Sequence, residues 1–186
     1  IQSSLFRRWL GGFLSGTAIG PNDDKTRSTG LADVDGDGDL DLLVVSSNSS
    51  QPNRLYLGNG SGGFSSGTAI GHSADKTRSM GLADVDGDGD LDLLVGNSGQ
   101  PNRLYLSNGS GVFSSFTNVT SDAHKTLSLG IGDVDGDGDL DLVAGNNSGQ
   151  VNRVYFNGGG PVSESTKASG LLSVSNVNPG DEVGLF

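Results

Sequence analysis

Aspartate stands at every second position from 33 to 41 in DVDGDGDLDLL, and the same string returns at 84 to 94 and, with a changed last residue, at 133 to 143. The fifteen acids are Asp33, Asp35, Asp37, Asp39 and Asp41; Asp84, Asp86, Asp88, Asp90 and Asp92; and Asp133, Asp135, Asp137, Asp139 and Asp141. Like charges at this density oppose folding unless a counter-charge fills the cluster. Side chains at 33, 35 and 37, a main-chain carbonyl at 39 and a further carboxylate at 41 can surround one hard cation with oxygen. Calcium takes six to eight such ligands in flexible geometry, whereas magnesium demands stricter octahedral geometry and retains water. Zinc would call for His or Cys. Gly36 and Gly38 let the backbone turn tightly enough for the acids to converge. The expectation is one Ca2+ per loop, three in all. A merely solvated acidic turn does not account for three ligand-spaced copies.

An EF-hand opens in the same way, with Gly38 at its sixth position, but its twelfth would be Val44 where a bidentate Glu is needed. Strand-like residues follow the loop, so the EF-hand is excluded. The elements that must position the acids repeat with them, at offsets of 51 and then 49 residues. That period suits propeller blades and other repeated β units. KTRSTGLA, KTRSMGLA and KTLSLGIG precede the three loops, and NRLYLGNG, NRLYLSNG and NRVYFNGG follow them. Phe64 and Phe113 then open GGFSSGTAI and GVFSSFTNV. Each unit thus offers four short strands: one entering the loop, one leaving it, one at RLYL and one after the Phe, with Gly, Ser, Asn and Pro at the turns.

The expected fold class is all-β, a β-propeller-like array of four-stranded blades, with three complete units and two complementary halves. The boundaries are a half blade at 1–20, repeats at 21–70, 71–119 and 120–166, and a degenerate half blade at 167–186. Phe13 to Ile19 parallels Phe64 to Ile70, while residues 169–186 resemble a first half whose loop has decayed to Ser173, Ser175 and Asn178. Unpaired strand edges need cover. The end halves can close a small four-bladed ring within one chain, or join a neighbour to give a larger ring or a filament.

The pattern DxDxDGDxD between two strands resembles the calcium loops of integrin-α-type propellers, the FG-GAP or VCBS repeats, over nearly the whole chain. The resemblance implies calcium held in the hairpin between a blade's first two strands. It assigns side-chain ligation to the first, second, third and fifth acid of each loop, and main-chain oxygen to Asp39, Asp90 and Asp139. The chain departs from the family in three respects. The family's Gly-Ala-Pro element is reduced to Val95-Gly96-Asn97 or Ala144-Gly145-Asn146, there are about four units where seven blades are common, and the last loop lacks its acids.

The 186 residues carry a net charge of −11, and fifteen of the 22 acidic residues lie in the loops, so the charge is concentrated where cations would sit. Such a balance argues against nucleic acid, whose phosphates are met by Lys and Arg. No apolar run approaches a membrane span, so membrane insertion is not expected. Absence of Cys removes disulfides and thiol chemistry. A chain that starts Ile1-Gln2 suits a processed or partial product.

Five Asn-x-Ser/Thr acceptors occur at Asn48, Asn59, Asn108, Asn118 and Asn146. They are glycosylation candidates, while Asn59-Gly60 and Asn108-Gly109 are equally good hairpin turns. Arg54, Arg103 and Arg153 recur and suit blade packing or blade-to-blade contacts; Tyr56, Tyr105 and Tyr155 read as core; Lys25, Lys76 and Lys125 suit pairing with loop acids or carbonyls. His72 and His124 fall at different places in their units, and carboxylates around a cation stay ionised, unlike a general acid. No GxSxG, HExxH or P-loop is present, so no enzyme is expected. The reading is an extracellular or cell-surface, calcium-stabilised structural or adhesive protein whose partners are copies of itself. A glycan-binding lectin, or a fragment of a larger adhesion protein, are the alternatives.

Overall fold

The computed structural model describes residues 15–21, 25–71, 75–113, 115–147 and 149–158. The expected half units at 1–20 and 167–186 therefore lie outside the described residues except for 15–20, as do Trp9, His72 and the decayed loop. Among the described residues eleven strands follow in order: β1 Thr26–Ala32, β2 Asp41–Ser46, β3 Asn53–Tyr56, β4 Thr68–Ile70, β5 Thr77–Ala83, β6 Asp92–Asn97, β7 Arg103–Tyr105, β8 Phe116–Asn118, β9 Thr126–Gly132, β10 Asp141–Asn146 and β11 Arg153–Tyr155. They form antiparallel meanders β1-β2-β3-β4, β5-β6-β7-β8 and β9-β10-β11. The architecture is all-β with propeller-like blades, as the repeat implied. In the third blade three strands fall within the described residues.

In blades 1 and 2 the second strand is the richest in Leu and Val, and its residues are buried or half-buried on both faces. Leu43, Val45, Leu93 and Val95 are each 0% exposed. With Val34, Leu55, Ile70 and Tyr105 they form one cluster that runs across blades 1 and 2. Successive blades meet through their first strands, β1 against β5 and β5 against β9. The approach is close: a Cβ on Gly30 would stand 2.8 Å from Met80 Cε, and one on Gly81 would collide with Ile131. A register shift recurs at the same place in all three blades, beside Thr26, Thr77 and Thr126. Such irregularities add local twist.

Tyr56 and Tyr105 are buried as expected. A Cβ on Gly71, where the chain leaves blade 1, would strike the Tyr105 hydroxyl of blade 2, and Gly20 stands in the same relation to Tyr56. Two of the three recurring arginines pack within their own blades and not between blades: Arg103 pairs with Asp75 and lies 4.1 Å from the Phe116 ring centroid, and Arg153 Nε reaches Asp122 Oδ2 at 3.2 Å. Their acids lie outside the Asp-rich loops.

A buried polar chain ties blade 1 to blade 2. Asn53 Nδ2 donates to Thr77 Oγ1 at 3.2 Å, Thr77 Oγ1 donates to Asn97 Oδ1 at 3.0 Å, and Asn97 Nδ2 donates to the Pro101 carbonyl at 2.8 Å. Asn53 also accepts from the Ser46 N–H, and Asn102 from the Asn97 N–H. Buried amides need such partners, since each one left unpaired costs about 1–3 kcal/mol. Thr77→Val keeps the shape and orphans Asn53 Nδ2 and Asn97 Oδ1 together. In chemical denaturation it is expected to lose about 2–4 kcal/mol, while Asn152→Ala, at the exposed twin of Asn53, loses under about 1 kcal/mol.

Candidate metal centre

Each Asp-rich loop is the hairpin between a blade's first two strands, from β1 to β2, β5 to β6 and β9 to β10. Its shape is set by carboxylates capping the loop's own N–H groups. Asp33 Oδ1 accepts from Gly36 N at 2.8 Å and Oδ2 from Gly38 N at 2.9 Å. Asp84 does the same with Gly87 and Gly89, and Asp133 with Gly136 and Gly138. Gly36 and Gly38 have φ of 77° and 90°, which a side chain would strain. Asp35 accepts from Asp37 N at 3.3 Å and Asp37 from Asp39 N at 2.9 Å, so the chain coils around its acids.

The fifth acid opens the second strand and is fully enclosed: Asp41 is 0% exposed, Asp92 and Asp141 1%. Asp41 Oδ2 accepts from Val34 N at 2.9 Å, inside the loop, and Oδ1 from Gly58 N at 2.8 Å, on the turn after β3. Asp92 repeats this with Val85 and Ser107, and Asp141 with Val134 and Asn157. One carboxylate thus fastens the loop to the far side of its blade.

Carboxylate oxygens converge within 4.8 Å of one another at Asp33, Asp35 and Asp37, at Asp84, Asp86 and Asp92, and at Asp133, Asp135 and Asp141. Among them the three loops bring together the first, second, third and fifth positions. The fourth does not join: a Cβ on Gly60 would collide with the Asp39 carboxylate, and Gly109 and Gly158 stand in the same way against Asp90 and Asp139. Their side chains lie toward the turn after the third strand, leaving that position only its main-chain oxygen to offer the cluster. Asp35, Asp86 and Asp135 have raised pKa values, first through loss of water around the charge and then through neighbouring carboxylates, with the N–H of the third loop acid opposing. Asp135 Oδ2 is buried without a hydrogen-bond partner in the protein.

These donors fit a hard divalent cation. All are oxygen, no imidazole or thiolate takes part in the three clusters, and an orphaned buried oxygen points to a ligand in the third. Three Asp clusters could therefore hold metal ions.

The candidate glycosylation sites are placed differently from one another. Asn59 Oδ1 accepts from Ser61 N and Gly63 N, and Asn108 Oδ1 from Ser110 N, so both amides shape exposed Asn-Gly turns. Asn48 Oδ1 accepts from Ser50 N. Asn146 is engaged through both amide atoms: Oδ1 accepts from Thr126, and Nδ2 donates to the Val151 carbonyl at 2.8 Å. Asn118 is exposed on β8.

Sequence reasoning did not single out the N–H groups of Gly58, Ser107 and Asn157 as partners of the buried acids. No side-chain type marks them; only their constant distance after the RLY strand could have done so. Among the described residues no helix is long and apolar enough to cross a membrane. No curated protein matches the chain. The FG-GAP-like repeat matches residues 33–95 and 84–144, and the FG-GAP repeat matches residues 126–163. Each FG-GAP-like match starts at one Asp-rich loop and runs into the strand that leaves the next, the FG-GAP match starts with the strand that enters the third loop, and together the FG-GAP-like matches span more than half of the sequence. The chain belongs to the FG-GAP-like repeat family.

Proposed function

We propose that this chain is an extracellular, calcium-stabilised structural or adhesive module that joins copies of itself through its two ends. The observation that carries the reading is the convergence of carboxylates at the same place in three successive blades. Bound Ca2+ supplies positive charge to each cluster. The ligands would be Asp33, Asp35, Asp37 and Asp41 with their counterparts Asp84, Asp86, Asp88, Asp92 and Asp133, Asp135, Asp137, Asp141, and the main-chain oxygens of Asp39, Asp90 and Asp139.

The chain's own residues explain why a cation there would matter to the whole blade. Asp41 holds both the loop and the turn after β3, so fixing its carboxylate fixes two hairpins relative to each other. A fold without cysteine gains from such a clasp, because loop ordering is otherwise opposed by chain entropy. Exposed acids on a small loop suit the weak affinity of extracellular calcium modules, which work at about 10⁻⁴–10⁻³ M. The charge balance fits the same setting. Three divalent ions would bring −11 to −5.

The lectin alternative needs a repeated exposed aromatic beside polar groups. Tyr56 and Tyr105 are instead 1% exposed and enclosed by the glycines of neighbouring turns. A role as a binding and building unit without catalysis is the simpler reading of a chain in which every acid among the described residues either lies in an Asp-rich loop or pairs with arginine, as Asp75 and Asp122 do.

Removing calcium with a chelator is expected to lower the melting temperature by more than about 10 °C, since a site held at 100 times its dissociation constant contributes about 2.7 kcal/mol and there are three. An unchanged melting curve would refute the calcium reading. Within one loop the acids are not equivalent. Calorimetric titration of Asp86→Ala is expected to show one equivalent fewer of bound calcium than the parent. Asp90→Ala, whose carboxylate is turned toward Gly109, should retain all three, and equal losses in both variants would mean that the ligand assignment is wrong.

A further inference from the structure

The first two Asp-rich loops are each held from two sides, and the second side belongs to the next blade. Val34 lies in the first loop. Its N–H donates to Asp41 Oδ2 at 2.9 Å, within blade 1, while its carbonyl accepts from Gly111 N at 3.0 Å, in the turn after β7 of blade 2. Val85 takes the same place in the second loop. Its N–H donates to Asp92 Oδ2 at 3.0 Å, and its carbonyl accepts from Asn157 Nδ2 at 3.1 Å, in the turn after β11 of blade 3. A main-chain N–H makes the bond at one joint and a side-chain amide makes it at the other. That unlike donors reach the same carbonyl marks the bond as a requirement of the joint rather than a by-product of repeated sequence.

The turn that reaches back is itself fastened by the fifth acid of its own blade. Ser107 N donates to Asp92 Oδ1 at 2.9 Å, and Asn157 N donates to Asp141 Oδ1 at 2.9 Å. The turn also packs on the loop: a Cβ on Gly111 would stand 3.4 Å from Asp35 Cβ, and one on Gly36 would stand 3.6 Å from the Gly109 carbonyl oxygen. Asp141 is thus connected through Asn157 to Val85 and Asp92, and Asp92 through the 107–111 turn to Val34 and Asp41. Asp92 and Asp141 are members of the carboxylate clusters of the second and third loops, and every group in the connection lies among the described residues.

From this connection we infer that the three calcium sites are coupled, occupancy of one blade's loop raising the affinity of the loop before it, with Asn157 as the positioning residue between the third site and the second. The inference rests on the calcium reading proposed above and deepens it by naming how the sites act on one another. Shared ordering is the physical basis. Asp141, once fixed by an ion, fixes the Asn157 backbone, and the Asn157 amide then fixes the Val85 carbonyl. Part of the ordering that the second loop requires is therefore complete before its own ion arrives. Coupling of this kind is reciprocal, so filling the second loop raises the affinity of the third by the same factor. Independent sites would fill each at its own calcium concentration, whereas coupled sites fill together and the blades stiffen as a set.

The test uses the full-length chain with calcium alone as the probe. Hydrogen–deuterium exchange, read peptide by peptide, gives the calcium midpoint of each loop separately, in single chains and in assemblies. Asp135→Ala empties the third loop. It is expected to move the midpoint of the second loop to calcium concentrations at least about fivefold higher, the lower end of ordinary coupling. Asn157→Ala keeps the N–H that serves Asp141 and removes the amide that reaches Val85. In that background Asp135→Ala is expected to move the second midpoint by less than about twofold. A residue that merely stabilised blade 3 would lower the melting temperature without changing this difference. Protection of the β10 amides monitors blade 3, and Asp135→Asn, which keeps the shape of the side chain, replaces Asp135→Ala if those amides lose protection. A second-loop midpoint unmoved by emptying the third loop, or moved equally with and without the Asn157 amide, overturns the inference and leaves the calcium reading intact. If no loop gains protection up to about 10 mM calcium, above the range of extracellular modules, the calcium reading falls and the coupling with it.

Discussion

Five carboxylates within nine residues are the constraint around which each blade is arranged. The main chain answers part of the charge: both oxygens of Asp33 and both of Asp41 accept N–H groups, and Asp35 and Asp37 accept one each. Hydrogen bonding to an ionised carboxylate holds it charged, while crowding and loss of water act in the opposite direction. At the second loop acid the latter wins, as the raised pKa of Asp35, Asp86 and Asp135 shows. Carboxylate oxygens of three acids in each loop lie within 4.8 Å of one another, close enough for one oxygen-ligated divalent ion to bridge them. Because Asp41 also reaches Gly58, and Asp39 lies against Gly60, charge in the loop bears directly on the turn between the third and fourth strands.

Close approach is the second constraint, and glycine satisfies it. Gly30 and Gly81 let successive first strands come near enough for Met80, Leu82 and Ile131 to fill the gap. Gly20 and Gly71 make room for Tyr56 and Tyr105, so the turn leaving one unit supports the tyrosine of the next. The low apolar content of the chain is compatible with a packed core because it is concentrated in the second strands and at these joints. Between blades 1 and 2 the buried Asn53–Thr77–Asn97 chain adds a polar link whose members are all satisfied, which makes the joint specific as well as apolar.

Strands and loops were legible because each depends on residue type at short range. Alternate Asp with intervening Gly has few other uses, and DLDLL followed by a Gly, Ser, Asn or Pro cluster reads as a strand and its turn. The buried asparagines were not legible. Asn53 and Asn97 stand beside turn formers and read as loop residues, and only a partner 20 or more positions away makes them core. The same limit affects the Asn-x-Ser/Thr pattern. Asn146 fits it, yet it occupies the place of Asn97 in its blade and, like Asn97, accepts from a threonine and donates to a carbonyl. A sequence motif of three residues cannot register that its first amide is already engaged by strand geometry. Main-chain ligation at the fourth acid could be read from the calcium-loop spacing and the family resemblance, but the direction in which the Asp39, Asp90 and Asp139 side chains turn depends on the hairpin after the third strand, which loop spacing does not register.

Repetition turns the molecule into its own control. Leu31 and Leu82 share their neighbours in sequence, as do Val34 and Val134, yet one of each pair is exposed and the other is packed. The difference must therefore come from the adjoining blade and not from local propensity. In such arrays stability divides into a contribution within each unit and one at each joint. Here most of the two reside in different residues: the loop acids and their N–H partners lie within a blade, and the contacts over Gly30 and Gly81 and the threonine–asparagine chain lie between blades, while the Val34 and Val85 carbonyls connect one set to the other. Loss of loop charge compensation would thus loosen every blade alike, whereas loss of a joint would separate intact blades. A fold with this division can lengthen by adding joints, each new blade offering its turn to the loop before it.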